Sequence, residues 1–363
     1  VAAATESRAP LVLWAFPERR TGRALRLNSL CGLNLASFRL RREGREFGWL
    51  YADPMAPEAV ERLDTAMRFA RTTPDREMEP VAAGGSLPPW RVGIIGGAPD
   101  GFEPCQVDED DAPGARFDRV PIDELFAVAD SQNELDVVLR WEDWADRVVG
   151  LEELDAPAVE RSIRLELALD AISGEHGWDG AAVRCWPECF DEYGCAACGA
   201  MGSLTATGTP TCCEADALGA ATGILLSSIA GVPGFVADLV HVDAVDDTAA
   251  LWHCGTAPPT MADDRAGIRA IDHPYRHRPL LREFALRPGP VTFARLSRSG
   301  HRLRLVVGAG EILDRPRPFA GTSGVVRFPE PADRVLETVI EEGLEHLLGV
   351  VHGDVVDALE RFA

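Results

Sequence analysis

The sequence predicts an α/β protein: Rossmann-like parallel-sheet domains followed by a β-rich C-terminal domain. Apolar strands first alternate with helices, as in parallel sheets. A Gly/Pro-rich stretch at 81–89 interrupts this alternation, and beyond about residue 255 β-like runs are separated by Arg-Pro-Gly and Ser-Gly turns. We therefore expect an N-terminal α/β domain at 1–88, a second α/β domain at 89–254 and the β-rich domain at 255–363.

The N-terminal domain contains two strand–helix units. The first residue is Val1 rather than a methionine, and we expect this domain to be incomplete at its start. The helices carry start signals, because Asn28 or Ser29 can cap the first and Pro57 suits the first turn of the second. The predicted elements are a strand at 10–16, a helix at 28–44, a strand at 45–53 and a helix at 57–73.

The later segments follow the same logic. In the second domain the predicted elements are a strand and glycine turn at 90–102, helices at 133–149 and 157–177, a strand at 180–186, a loop and helix at 212–231 and a strand at 234–243. The tail from residue 332 is mostly helical, with a short strand at "LLGVV" (347–351). His346 falls in this helical tail.

Composition excludes several classes of function. The formal net charge is −22, so a nucleic-acid backbone or an anionic membrane surface is an unfavourable partner. The chain contains no lysine, which rules out Schiff-base, pyridoxal-phosphate and Walker-type lysine chemistry. No apolar run is long enough to span a bilayer, and we expect a cytoplasmic protein.

Six of the nine cysteines lie between Cys185 and Cys213. Cys185, Cys189, Cys195 and Cys198 have C-x3-C-x5-C-x2-C spacing, in which only the last two form the close pair typical of zinc knuckles. A zinc site, a redox pair at Cys195 and Cys198, and small buried core residues are all open interpretations. The spacing favours buried core residues.

Two carboxylates, 24 positions apart, frame an apolar segment of small residues. Glu214 follows the turn-like "TGTPT" at a helix start, and Asp238 lies inside the apolar strand "GFVADLV". Buried carboxylates need a partner or a metal, and a helix–loop–strand of this length can return both to one crevice of a sheet. From the residues alone the structural interpretation is the stronger one: Glu214 caps the helix and Asp238 pairs with an arginine. His253 in "LWHCG" and His346 are likewise candidate ligands, although a lone histidine is more often structural.

Together these residues resemble the L-fucose isomerase/L-arabinose isomerase family. The resemblance is most specific in "CEAD" and "GFVAD", whose interval between Glu214 and Asp238 matches the metal-binding segment of L-fucose isomerases. "NSLCG", "RCWPECF" and "LWHCG" are similar to corresponding blocks of shorter members, and "EHLLGVV" to the segment with the C-terminal histidine.

The resemblance implies an L-fucose isomerase-like fold and a divalent ion, Mn²⁺ or another cation, held by Glu214, Asp238 and His346. It implies aldose–ketose isomerisation of an open-chain sugar through an enediolate, with Glu214 and Asp238 as acid/base groups. Trp186, Glu188 and His253 are expected to contact the sugar, and the protein is expected to be a homo-oligomer. A metal-dependent sugar or sugar-acid lyase and a non-catalytic sugar-binding protein are the alternatives. The sugar itself does not follow from the sequence.

Overall fold

The computed structural model describes residues 9–74, 86–108, 111–299 and 302–362. Most of the predicted breaker at 81–89 therefore lies outside the described residues.

At the N-terminal end, two parallel strands each precede a helix, as predicted. These elements are β1 (Val12–Ala15), α1 (Ser29–Arg42), β2 (Gly48–Tyr51) and α2 (Ala59–Thr72).

A four-stranded parallel sheet of order β4-β3-β5-β6 forms the middle of the molecule. Its strands are β3 (Arg91–Ile95), β4 (Arg116–Val120), β5 (Gly180–Val183) and β6 (Thr211–Cys213). The helices around it are α3 (Ile122–Asp130), α4 (Glu134–Arg147), α5 (Ala156–His176), α6 (Glu188–Asp191), α7 (Cys198–Ala206) and α8 (Ala217–Ala230). The pair β4 and α3 was not predicted, since its charged and acidic residues mask the apolar pattern.

The remaining strands are β7 (Phe235–Asp243), β8 (Thr248–His253), β9 (Arg269–Ile271), β10 (Leu281–Ala285), β11 (Gly289–Ser299), β12 (Arg302–Ile312), β13 (Thr322–Arg327) and β14 (Leu347–His352). Two helices accompany them, α9 (Ala332–Glu341) and α10 (Val356–Phe362). The strands form one sheet in which β12 also pairs with β13. That pairing closes six antiparallel strands, β12-β11-β14-β7-β8-β13, into a barrel.

The barrel includes two strands, β7 and β8, that fall within the range 89–254 predicted for the second α/β domain. β7 pairs with β14, and β8 pairs with β13. The physical reason is that β7 and β8 form an antiparallel hairpin, which has no crossover helix and joins the other antiparallel strands. Asp238 and His253 therefore belong to the same sheet as the C-terminal strands.

Helix α8 connects the parallel sheet to the barrel. Its residues from Ala217 to Leu226 are all buried, as expected for a helix that is apolar on every side and packs between two layers. Thr222 accepts a hydrogen bond from the backbone N–H of Leu296 on β11, at 3.0 Å. On the opposite side, a Cβ on Gly180 of β5 would lie 2.9 Å from Ile224. The small residues of α8 and its neighbours thus let the two layers approach closely.

Within the described residues, no helix is both long and apolar enough to cross a membrane.

Candidate active site

Glu214 lies at the carboxyl end of β6, on a strained turn. Its φ is +59° and that of Ala215 is +54°, a left-handed conformation that non-glycine residues rarely adopt. The expectation that Glu214 caps the next helix is wrong, because Asp216 is the N-cap residue of α8 and accepts from the Gly219 N–H at 2.8 Å. The turn therefore leaves the Glu214 side chain available outside the helix.

His346 immediately precedes β14, so its assignment to a helical segment is wrong. The register of β14 against β7 places Leu347 opposite Asp238, which brings His346 to the same end of the barrel as Asp238. His346 Nε2 lies 2.7 Å from Glu214 Oε2. His346 thus lies close to both carboxylates that the family resemblance singled out, but in two separate groups of ligand atoms, one with Asp238 and one with Glu214.

Residues of α1 and of the turn after β3 surround these three side chains. Ligand atoms of Cys31, Asp238 and His346 all lie within 4.8 Å of one another, and so do those of Cys105, Glu214 and His346. Asn28 also contacts the Asp238 carboxylate. The sequence analysis treated Asn28 as a candidate helix cap, but its side chain makes no capping hydrogen bond. It noted "NSLCG" as a matching block and missed Asn28, Cys31 and Cys105 as neighbours of the cluster.

Burial controls the ionisation of these groups. It raises the pKa of Asp238, an effect that the positive charges of His346 and His253 oppose. Burial disfavours the imidazolium form of His346, but the Glu214 and Asp238 carboxylates outweigh it and raise its pKa. Burial and the same two carboxylates raise the pKa of the Cys31 thiol, which stays protonated and can donate to Asp238.

Two buried polar atoms of this cluster have no hydrogen-bond partner among the described residues. They are Asp238 Oδ1 and His346 Nδ1. No arginine of the described ranges pairs with Asp238, although that pairing was the alternative that the sequence left open. Two carboxylates and an imidazole are a donor set that suits a divalent ion such as Mn²⁺, and a buried orphaned oxygen and nitrogen fit such a ligand.

A set of buried ion pairs, here called the charged layer, lies behind the cluster. Arg295 donates to both oxygens of Asp216, at 2.6 and 3.0 Å, and its Nε lies 3.8 Å from Glu345 Oε2. Asp216 follows Glu214 by two positions and Glu345 directly precedes His346, so one guanidinium links both segments.

A second arginine of β11 completes the charged layer. Arg298 donates to Asp111 at 2.7 Å and to the carbonyl oxygens of Glu103 and Pro104 at 3.2 and 3.1 Å. These contacts fix the turn that carries Cys105. Asp111 comes from an acidic stretch of the sequence and is nonetheless 6% exposed.

Aromatic side chains, here called the aromatic rim, line the other side of the cluster. The Phe102 ring meets His346 edge to face at 5.4 Å and Trp186 at 5.3 Å between ring centroids. Phe102 and Trp186 are half-buried, whereas Phe190, the third member, is buried. Trp186 therefore lies beside the cluster with part of its ring open, and its predicted contact with the sugar stays a prediction.

The other two predicted substrate contacts have protein partners. Glu188 accepts from Arg184 Nε at 2.7 Å. The Cys254 backbone N–H donates to His253 Nδ1 at 2.9 Å, which leaves Nε2 to face Cys213 Sγ at 2.9 Å. His253 thereby supports the strand end that carries Glu214, and sugar binding by these two residues stays a prediction.

Among the described residues, the four cysteines of the C-x3-C-x5-C-x2-C spacing do not form one ligand group. All nine cysteines are free thiols, and within the described residues Cys185, Cys189 and Cys195 belong to no group of three or more ligand atoms. Cys198 instead lies 3.3 Å from Cys254 Sγ, and both lie close to His273. Burial raises the pKa of the Cys189 and Cys195 thiols, in keeping with the interpretation as core residues.

Comparison with known proteins gives a consistent result. No family model matches the chain. A sulfoquinovose isomerase from Alkalicoccus urumqiensis is 31% identical over 356 residues, which cover 97% of this chain and 78% of that protein. Sulfoquinovose isomerases from Priestia megaterium and from Clostridium sp. strain MSTE9 are each 29% identical, over 96% and 98% of this chain and 77% and 78% of their own lengths.

Proposed function

The chain belongs to the sulfoquinovose isomerase family, a family of sugar isomerases, and we propose that it interconverts sulfoquinovose and the corresponding 2-ketose. The similarity extends over nearly the whole chain, which supports a shared reaction. We further propose the L-fucose isomerase-like fold, supported by the parallel sheets and the β-rich C-terminal part, and a soluble cytoplasmic homo-oligomer.

The observation that carries the proposal is that His346 lies within ligand distance of both Glu214 and Asp238, while Asp238 Oδ1 and His346 Nδ1 have no hydrogen-bond partner among the described residues. These residues would hold Mn²⁺ or another divalent ion. A bound ion would supply a Lewis acid that polarises the sugar carbonyl.

The reaction needs a proton to move between two neighbouring carbons. The C2 proton passes to a carboxylate, and electrons shift to give an enediolate. The same carboxylate, whose proton exchanges with water, then delivers a proton to C1, while the hydroxyl proton of O2 passes to O1. The aldehyde thus becomes a primary alcohol and C2 becomes a ketone, with no net oxidation. Glu214 and Asp238 are the carboxylates placed for this transfer, and the Cys31 thiol, protonated at neutral pH, would hold Asp238 in place.

The test combines product analysis with metal analysis. Sulfoquinovose is incubated with Mn²⁺-loaded enzyme in deuterated water, and we expect the ketose with deuterium at C1. Asp238→Asn and His346→Ala should each lose metal and at least about 100-fold in kcat/KM, as expected for the loss of a metal ligand. Cys195→Ser, a buried thiol outside the cluster, is the matched control and should retain both.

Two results would contradict the proposal. Fragments with fewer carbons than the substrate would identify a lyase. If both variants retained full metal content, the metal would not be bound by this cluster, whatever product is formed.

A further inference from the structure

We propose that Arg276 binds the sulfonate group of the substrate. This inference rests on the proposed function, because it assumes that the sugar carries an anionic group on C6. The reacting carbons, C1 and C2, are at the opposite end of the molecule. An anion must then be recognised some distance from Glu214 and Asp238, whose carboxylates would repel it.

Most arginines near the cluster cannot serve. Arg295 and Arg298 are buried in ion pairs of the charged layer. Arg184 is paired with Glu188 and donates to the carbonyl oxygens of Gly97 and Ala98 at 3.2 and 3.1 Å. Their donors are already occupied, so none can turn to a substrate without breaking an ion pair.

Arg276 differs from these arginines in its exposure to solvent and in its lack of a carboxylate partner among the described residues. It is exposed, and no carboxylate lies within ion-pair distance of it among the residues that the structure describes. Its guanidinium carbon lies 5.7 Å from the Trp186 ring centroid and 6.0 Å from that of Phe190. The cation thus rests on the aromatic rim, and its N–H groups remain free to bind an oxyanion.

The loop that carries Arg276 is fixed at both ends and in its middle. His273 N–H donates to the Arg278 carbonyl at 2.8 Å, and His277 N–H donates to the His273 carbonyl at 2.9 Å. The Tyr275 hydroxyl donates to the Leu25 carbonyl, and the His273 ring meets Phe190 at 5.0 Å. Arg276 is therefore held over the rim before any ligand binds, which lowers the entropic cost of binding.

The aromatic rim gives the substrate a path. His346, Phe102 and Trp186 are in successive ring contact, and Arg276 stands over the last of them. A hexose lying along these rings, with C1 and C2 at His346, has its C6 end directed toward Arg276. A guanidinium can donate two parallel N–H groups to the planar pair of sulfonate oxygens that face it.

The experiment compares sulfoquinovose with quinovose, the same hexose without the sulfonate. Arg276→Gln should raise KM for sulfoquinovose about 10- to 100-fold, the usual effect of losing a charge-assisted hydrogen bond, with kcat within about threefold. The kcat/KM ratio of sulfoquinovose to quinovose should fall by the same factor. Arg278→Gln, on the same loop with the same change of charge, is the control and should leave the ratio as in wild type.

The outcomes separate this inference from the proposed function. If wild type converts sulfoquinovose and Arg276→Gln has a wild-type ratio, or Arg278→Gln has an equal effect, the assignment of Arg276 is overturned and the function stands. If wild type does not convert the sugar, the function fails. The assignment is then decided by calorimetric titration with sulfoquinovose and propane-1-sulfonate: binding that Arg276→Gln weakens at least tenfold supports it, and equal or absent binding overturns it.

Discussion

The two sides of the candidate site are built in opposite ways. The charged layer, centred on Arg295 and Arg298, is buried and most of its donors are satisfied by protein groups. The aromatic rim is partly open, and the cation above it has no protein counter-charge among the described residues. Under the proposed function, the buried side would hold the reacting groups in place and the open side would recognise the substrate.

The largest effect on stability is expected when Arg295, at the centre of the charged layer, is replaced. In Arg295→Met, Asp216 keeps its charge in a buried position without a counter-ion, and the free energy of unfolding should fall by about 3–5 kcal/mol. Urea denaturation measures the change. Arg304→Met on β12 is the control, because the partly exposed pair of Arg304 with Glu342 is expected to contribute less than about 1 kcal/mol. Equal losses in the two variants would mean that the charged layer has no special role.

A second test contrasts two buried histidines. At His346 nearby carboxylates raise the pKa more than burial lowers it. At His241 burial, together with the positive charge of Arg20, lowers the pKa to about 4. The unfolded chain then binds a proton at a higher pH than the folded protein, so stability falls as the pH decreases from about 6.5 to 4, by up to about 3 kcal/mol. Urea denaturation across this range should show a slope that is shallower in His241→Asn. Parallel pH profiles for the two proteins would rule the effect out.

The aromatic rim should be more tolerant. Trp186→Ala removes a half-buried ring, and we expect KM to rise about tenfold while the free energy of unfolding falls by about 1–2 kcal/mol. Trp186→Phe should recover most of both quantities, because it keeps an aromatic face next to Phe102. Steady-state kinetics and urea denaturation provide the two readouts. If Trp186→Ala lost as much stability as Arg295→Met and KM were unchanged, the rim would act as part of the core and not as a substrate surface.

The smallest effect is expected at Glu188. Glu188→Gln breaks a partly exposed ion pair with Arg184 and should cost about 0.5 kcal/mol, with KM within about twofold of wild type. Arg91→Gln, which breaks another partly exposed pair, gives the reference for stability. A rise in KM of tenfold or more in Glu188→Gln would instead support the substrate contact predicted from sequence.

The sequence predicted much of the fold because periodic apolar patterns are local. It identified the first strand–helix units, the strand at 180–186, helix α8 and the turn to β-rich structure. It placed the strand with Asp238 in the wrong sheet, since strand pairing depends on partners more than a hundred residues away. The same limit explains why His346 was assigned to a helix. The cap was missed for a local reason, since the helix begins two residues later than predicted and Asp216 accepts from the Gly219 N–H.

For the site, the interval between Glu214 and Asp238 was the informative signal, and the family resemblance added His346. The neighbours Cys31 and Cys105 and the paired arginines were not foreseen, because nothing in their local sequence distinguishes a residue beside a cluster from an ordinary core residue. The preference for buried core cysteines agrees with the structure, whereas the contact of Cys198 with Cys254 Sγ, 56 positions away, could not be read from the spacing.

The distance along the chain between Glu214 and His346 has a consequence for synthesis in the cell. The two residues that hydrogen bond in the finished protein are 132 positions apart. A nascent chain on the ribosome can complete the parallel sheet and present Glu214 long before β14 has been translated. If His346 belongs to the proposed active site, turnover begins only after that last barrel strand has inserted beside β7, and the onset of activity during translation then reports when the barrel closes.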